Sequence, residues 1–163
     1  MHIREAASEE MLTLWGRQDD TISTTARFFC DNIDSGNAIF WTIDNGGELI
    51  GELYAFRDLS DKDFADGINT AYLCAFRVKE EYRGHGLGSS LLEHATAKLK
   101  KMGFRNITIG VGSDEPQNIR LYGRFGFTEK IKDCHYDPCG LDENAQPEYE
   151  EEPWWLLLKT LEP

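Results

Sequence analysis

The stretch that decides the fold is Glu81-Tyr-Arg-Gly-His-Gly-Leu-Gly-Ser-Ser90. It follows Thr70–Val78, whose alternating apolar residues predict a β-strand, and it opens a segment whose apolar residues recur at helical spacing. Glycine tolerates positive φ and close approach of a ligand, and the start of a helix exposes backbone N–H groups that bind anions. The three alternating glycines therefore predict a phosphate-binding junction between a strand and a helix.

Two familiar phosphate motifs do not fit this junction. A dinucleotide fingerprint, G-x-G-x-x-G, would need a glycine where the chain has Ser89, and it would not follow an antiparallel hairpin. A Walker motif would need a Lys-Ser or Lys-Thr pair after Gly88, where Ser89-Ser90 stands. The pattern that remains is Arg/Gln-x-x-Gly-x-Gly/Ala, which residues 83–88 satisfy.

The patterns along the chain predict the order β-α-α-β-β-β-α-β-α-β-β. Helices are expected over 8–14 and 21–33, and Asn45-Gly46-Gly47 predicts the turn of an antiparallel hairpin. This order predicts an α+β fold, in which helices flank a mixed, largely antiparallel central sheet. Nothing divides the chain, so a single domain over 1–163 is expected.

Three local features complete this prediction. Asp114 is a candidate cap for the helix that follows it, and the acidic segment 141–152 is expected to be a solvated loop. Strict alternation in the third long strand predicts that one face carries Tyr72, Cys74, Phe76 and Val78.

In this order of elements, the pattern over residues 83–88 resembles the pyrophosphate-binding motif of the GNAT superfamily of N-acetyltransferases. A second motif, Asn118-Ile-Arg-Leu-Tyr-Gly-Arg-Phe-Gly-Phe127, is similar to the family's helix that ends in Leu-Tyr-x-x-x-Gly-Phe. The resemblance covers nearly the whole chain. It departs at Glu115, where the family often carries an asparagine seven residues before the tyrosine.

The resemblance implies where acetyl-CoA, the co-substrate, binds. It would lie in a splay between the two middle strands, the one that ends at Val78 and the one that follows the glycine-led helix. Its pantetheine would pair with backbone at Phe76 and Val78, and its pyrophosphate would rest on the loop. The implied cofactor-binding residues are Phe76, Val78, Arg83, Gly84, His85, Gly86, Leu87, Gly88, Ser89 and Asn118.

The resemblance also implies direct transfer of acetyl to a bound amine. Tyr122 matches the family's general acid, with packing in the core as the alternative. A backbone N–H where the strand bulges near Phe76 would stabilise the oxyanion. Glu52 is the predicted base, although a solvated carboxylate or deprotonation through water alone stays open. Cys74 either lines the cavity or packs within the sheet.

The net charge of the chain restricts the chemical class of acceptor that we expect. The chain carries 17 Lys and Arg against 29 Asp and Glu, a net charge of −12. Such a surface repels phosphate backbones and anionic lipids, so we expect no nucleic-acid or membrane partner and favour a small cationic amine. The acidic loop with Asp58, Asp61, Asp63 and Asp66 is either an acceptor mouth or solvated surface. A protein or peptide acceptor and a non-catalytic acetyl-CoA sensor stay open as alternatives.

The remaining expectations concern surroundings. Residues 134–139 combine two cysteines and a histidine without a second ligand pair, so no metal site is predicted. The N-terminus lacks an apolar signal core, which favours a cytoplasmic location. Trp154-Trp155 fits either the core or a subunit interface, so a homodimer is a candidate assembly.

Overall fold

A computed structural model describes residues 1–15 and 22–162. The predicted order of elements is confirmed, and position 21, the expected start of the second helix, lies outside the described residues. A short 3₁₀ turn, Glu80–Tyr82, precedes the helix that begins at Leu87. The elements are β1 (His2–Glu5), α1 (Ser8–Trp15), α2 (Thr24–Ser35), β2 (Ala38–Asn45), β3 (Glu48–Phe56), β4 (Thr70–Val78), α3 (Leu87–Lys101), β5 (Asn106–Gly112), α4 (Pro116–Arg124), β6 (Glu129–Leu141) and β7 (Pro147–Thr160).

The strands form one sheet in the order β1-β2-β3-β4-β5-β7-β6. Every neighbouring pair is antiparallel except β4 and β5, which are parallel. The predicted hairpin joins β2 to β3, with Gly46 at φ 64° and Gly47 at φ 101°, as a tight two-residue turn requires. The prediction of a mixed, largely antiparallel sheet flanked by helices is confirmed.

The middle of the sheet opens where β4 leaves β5. The two strands pair only as far as Leu73 and Ile109, and β4 then continues to Val78 while β5 continues to Gly112. Backbone groups on the facing edges of both strands therefore lack a strand partner beyond this point. The splay between the two middle strands, which the resemblance implied, is present.

A bulge in β4 changes which residues share a face. Across from β3, the pairing slips between Tyr54 and Glu52, and Ala75 adopts φ 51°. Because the bulge inserts one extra residue, alternation reverses beyond it. The prediction that Tyr72, Cys74, Phe76 and Val78 share a face is therefore wrong. Phe76 and Val78 pack with Leu73 on the α3 side, and Tyr72 and Cys74 pack on the α2 side.

The two faces of the sheet bury separate apolar clusters. On one face, α3 buries Leu91 and Leu99 against β2, β3 and β4. On the other face, the aromatic ring of Phe29 from α2 packs edge-to-face on Tyr54 and on Phe56. Trp154 and Trp155 each pack against one of these clusters within their own chain.

Two local predictions are wrong. Residues 141–152 are not a solvated loop, because β6 and β7 continue as paired strands through Tyr136–Tyr149 and Leu141–Pro147. Cross-strand backbone bonds and the contact between the rings of Tyr136 and Tyr149 hold these acidic arms in strand form, and only 142–146 form the turn. Asp114 does not cap α4, since Glu115 occupies the N-cap position and no side-chain cap bond forms there.

None of the helices within the described residues is long and apolar enough to span a membrane.

Candidate active site

The glycine-rich loop forms a cradle of backbone donors at the start of α3. Gly84 and Gly86 adopt φ 84° and 78°, a left-handed conformation that glycine takes at little cost. Gly86 is the N-cap, and the first bond inside the helix runs from Ser90 N–H to the Gly86 carbonyl. The N–H groups of residues 87–89 precede that bond, so they are available to an anion at the positive end of the helix dipole.

Two contacts fix this cradle against β4. Arg83 Nε donates to the Val78 carbonyl at 2.8 Å, which anchors the guanidinium at the mouth of the loop. Gly88 faces the strand closely, because a Cβ there would lie 3.2 Å from Phe76 Cζ. The missing side chain lets the helix start approach the strand.

A cavity of about 490 Å³ opens in front of the cradle. All the predicted cofactor-binding residues line it except His85, which is exposed and is not part of the described lining. Asn118, in the first turn of α4, lines the cavity and donates from Nδ2 to Glu115 Oε2 at 3.0 Å. A loop of consecutive backbone donors, an arginine and an open groove suit a pyrophosphate.

A second cavity, of about 600 Å³, lies at the other end of the splay. It shares Phe76, Arg77 and Tyr122 with the first, so the two cavities adjoin where β4 bulges. We call the first the cofactor cavity and the second the acceptor cavity. The acceptor cavity is lined by Leu14, Trp15, Thr25, Phe29, Tyr72, Leu73, Cys74, Ala75, Phe76, Arg77, Ile109, Gly110, Tyr122, Asp137, Cys139 and Gly140.

The bulge lies at the junction of these cavities. Two residues of β4, Ala75 and Phe76, stand opposite Leu53 alone, and the extra residue of a bulge leaves the ladder unpaired. Ala75 carries its positive φ at this point, in a conformation that costs a non-glycine residue free energy. A released backbone N–H here suits an oxyanion that forms between the two cavities.

Tyr122 lines both cavities and is only 8% exposed. Burial raises the pKa of its hydroxyl to about 12, and the nearby Glu115 carboxylate acts in the same direction. The hydroxyl therefore remains a proton donor throughout the physiological range.

Glu52 lies behind the wall of the acceptor cavity. Its side chain is buried, and its carboxylate accepts from Trp15 Nε1 at 2.7 Å and from the Tyr54 hydroxyl at 2.8 Å. The guanidinium of Arg77 lies 2.9 Å away, and it also lies 5.7 Å from the centre of the Trp15 ring. Trp15 and Arg77 line the acceptor cavity, whereas Glu52 does not. Glu52 is thus connected to the cavity through the side chains of Trp15 and Arg77, which contact both.

The acidic loop between β3 and β4 turns its carboxylates to structural partners. Asp58 pairs with Lys62, and Asp61 and Asp63 both pair with Lys132. Burial tends to raise the pKa of Asp66, but three backbone N–H groups that donate to its Oδ1 lower it overall. None of the four carboxylates belongs to the lining of the acceptor cavity.

Sequence reasoning missed Trp15, Tyr72, Arg77 and Asp137 as cavity residues. Cys74, for which it left two roles open, does line the cavity. No motif marks the segment that contains Asp137, and its place in the cavity follows from the pairing of β6 with β7. Within the described residues, no group of three or more metal-ligating side chains comes together.

Comparison with known proteins identifies the family. Residues 2–127 match the model of the acetyltransferase (GNAT) family. The chain belongs to this family. The resemblance drawn from the two motifs is therefore confirmed.

The chain matches only part of the length of its curated relatives. The uncharacterized N-acetyltransferase YdgE of Bacillus subtilis is 26% identical over 95 residues, which cover 58% of this chain and 57% of that protein. The N-alpha-acetyltransferase MAK3 of Arabidopsis thaliana is 30% identical over 71 residues, which cover 44% of this chain and 37% of that protein.

The fold matches over its full extent. A GNAT family acetyltransferase from Elizabethkingia anophelis, solved with acetyl-CoA bound, superposes with a TM-score of 0.63 at 19% identity. The alignment covers 98% of this chain and 97% of that one.

Proposed function

We propose that this protein is an acetyl-CoA-dependent N-acetyltransferase that transfers acetyl directly to the primary amine of a small cationic acceptor. The observation that carries the proposal is the meeting of two cavities at Phe76 and Tyr122, one of which is lined by a phosphate cradle. Two reactants can enter from opposite ends of the splay and meet at the bulge. Such positioning lowers the entropic part of the barrier.

The cofactor cavity has the groups that acetyl-CoA requires. Backbone N–H groups of Leu87, Gly88 and Ser89, together with Arg83, would hold the pyrophosphate. The edge of β4 at Phe76 and Val78, which has no strand partner on the β5 side, would hold the pantetheine amides. When bound, the co-substrate supplies an activated thioester. The chain's part is to orient that thioester, stabilise the oxyanion and move protons.

The first proton step concerns the acceptor. An alkylamine has a pKa near that of lysine, about 10.4, so it is mostly protonated at neutral pH and must lose a proton before it attacks. We assign Glu52 as the base. Because Trp15, Tyr54 and Arg77 occupy its oxygens and separate it from the cavity, the proton would reach it through a water molecule. Deprotonation by water without Glu52 is the alternative.

The second proton step concerns the leaving sulfur. As the C–N bond forms and the C–S bond breaks, the nitrogen loses one proton and the sulfur gains one. Tyr122 is assigned as the general acid. Its pKa of about 12 lies above that of an ordinary thiol, about 8.5, so Tyr122 acts chiefly as a hydrogen-bond donor to the developing thiolate. The departed thiolate then takes up a proton from solvent, and this balances the proton that the nitrogen releases. The expected contribution is at the lower end for general acids, about 100-fold.

The runner-up function is acetylation of a protein or peptide. In its favour, one relative is named as an N-alpha-acetyltransferase. Against it, a cavity of about 600 Å³ has the size of a small-ligand pocket. A non-catalytic acetyl-CoA sensor is the third candidate, and a hydroxyl such as that of Tyr122 at the junction argues for catalysis.

One assay separates the three. Release of free thiol from acetyl-CoA is measured against 1,4-diaminobutane, uncharged-chain amines and short peptides with free N-termini. The proposal expects turnover with the charged amine and little with the peptides. Turnover with peptides alone would favour the runner-up, and binding of acetyl-CoA without any turnover would favour the sensor.

A further inference from the structure

Among the described residues, the acceptor cavity carries one carboxylate that forms no ion pair. Two charged side chains, Arg77 and Asp137, are part of its described lining. The charge of Arg77 is neutralised by Glu52 at 2.9 Å. Asp137 takes part in none of the ion pairs formed by residues 1–15 and 22–162. The uncompensated charge in this cavity is therefore negative.

The position of this carboxylate is fixed by its own strand. Asp137 Oδ1 accepts from the Cys139 N–H at 2.9 Å, which leaves most of its acceptor capacity unused. Gly140 makes room for it, since a Cβ at that position would lie 2.6 Å from Asp137 Oδ2 and 3.0 Å from its Cγ. The carboxylate is thus held in place before any ligand arrives.

The surroundings extend the negative potential. Asp137, Tyr72 and Gly110 also line a neighbouring cavity of about 510 Å³. The other charged side chains of its described lining are all carboxylates, namely Asp114, Glu115, Glu150 and Glu152. Charges of one sign along a cleft raise the local concentration of ligands of the opposite sign. Asp137 lies at the boundary between this acidic cavity and the acceptor cavity, since it lines both.

We infer that Asp137 is a specificity-determining residue that pairs with a cationic group of the acceptor other than the amine that becomes acetylated. The acceptor class is then a diamine or longer polyamine. Its reactive amine lies at the bulge near Tyr122, and its second ammonium lies against Asp137. This inference rests on the proposed function, which it deepens by naming the part of the acceptor that is recognised.

The test compares two acceptors of equal length in steady-state kinetics. 1,4-Diaminobutane carries the second ammonium, and 4-amino-1-butanol replaces it with a hydroxyl. In Asp137→Asn, we expect KM for the diamine to rise about 10- to 100-fold, the effect of losing a hydrogen bond to a charged group. Its kcat and the KM for the amino alcohol are expected to change little.

Two further variants separate charge from shape. Glu148→Gln removes the charge of the cross-strand neighbour of Asp137 and is expected to leave both acceptors unaffected. Gly140→Ala keeps the carboxylate but displaces it, and it is expected to raise KM for the diamine alone. Thermal unfolding of each variant controls for damage to the fold.

Two other kinetic results would overturn the inference. Equal KM changes for both acceptors would make Asp137 structural. A fall in kcat for both, with a shifted pH profile, would make it the base.

Calorimetric binding of 1,4-diaminobutane in the presence of CoA gives a readout without turnover. Binding that is equally strong in wild type and Asp137→Asn, or absent from both, refutes the inference, whereas diamine binding that depends on Asp137 without turnover refutes only the proposed acetyl transfer.

Discussion

The two cavities that meet at the bulge are built in different ways. Most of the lining of the cofactor cavity comes from one short stretch, residues 82–84 and 86–89, and β4 and α4 complete its walls. The lining of the acceptor cavity comes from α1, α2, β4, β5, α4 and β6, which are spread over most of the sequence. A site built from local backbone can be identified from a motif. A site assembled by tertiary packing becomes visible only when the strands and helices are in place.

The largest expected effect is on the binding of CoA to the cofactor cavity. Gly86→Trp should weaken binding of CoA on the order of 100-fold or more, because it strains a residue at φ 78° and fills the start of the cradle, with loss of at least two charge-assisted bonds. Calorimetry with CoA measures the loss.

Gly47→Trp is the matched control. Gly47 also has positive φ, and no atom lies within 4 Å of a Cβ placed there, but it belongs to the β2–β3 turn outside the described lining of both cavities. It should bind CoA normally. If both variants bind CoA as tightly as wild type, the cradle does not hold the cofactor.

The next effect concerns the junction of the two cavities. Tyr122→Phe removes the hydroxyl and keeps the ring, so kcat should fall about 100-fold while the affinity for CoA is retained. Tyr149→Phe, at an exposed tyrosine, should leave kcat unchanged. An undiminished kcat in Tyr122→Phe would mean that Tyr122 is a packing residue.

A smaller effect is expected on the acceptor side. Glu52→Gln keeps an oxygen that can accept from Trp15 and Tyr54, but it removes the carboxylate that pairs with Arg77. As the base, Glu52 should contribute to kcat/KM, so the variant should be slower than wild type at equal thermal stability. A variant with the kcat/KM of wild type would show that Glu52 is not the base.

The smallest effect at neutral pH is that of the buried tyrosines on stability, and this effect becomes large in alkali. Burial raises the pKa of Tyr54, Tyr72 and Tyr122, the last to about 12. Above pH 10 the unfolded chain releases these protons while the folded chain keeps them, so stability falls as pH rises, by about 1.4 kcal/mol per group and pH unit.

Urea unfolding between about pH 9 and pH 11 measures this loss. Tyr122→Phe should lessen the slope by one group. A free energy of unfolding that stays constant over this range would contradict the burial of the three hydroxyls.

The same division explains how much could be predicted from the sequence. The order of elements, the β2–β3 hairpin and the cradle followed from local patterns, and each is present. The bulge at Ala75 was expected only by resemblance, and its reversal of the strand faces was missed because alternation assumes an unbroken ladder.

The acceptor side was beyond local patterns for a physical reason. Residues 141–152 looked like a solvated loop because their side chains are acidic, yet backbone pairing between β6 and β7 makes most of them strand. Asp137 reaches the acceptor cavity only through that pairing. The charge of the Asp58–Asp66 loop was noticed instead, but its carboxylates serve Lys62, Lys132 and the loop's own backbone.

The most direct test of the two-cavity account is the pattern of initial rates when acetyl-CoA and 1,4-diaminobutane are varied together. Direct transfer at the junction requires both reactants to be bound at once, so double-reciprocal lines should intersect. Parallel lines would indicate an acyl-enzyme intermediate and would contradict the account.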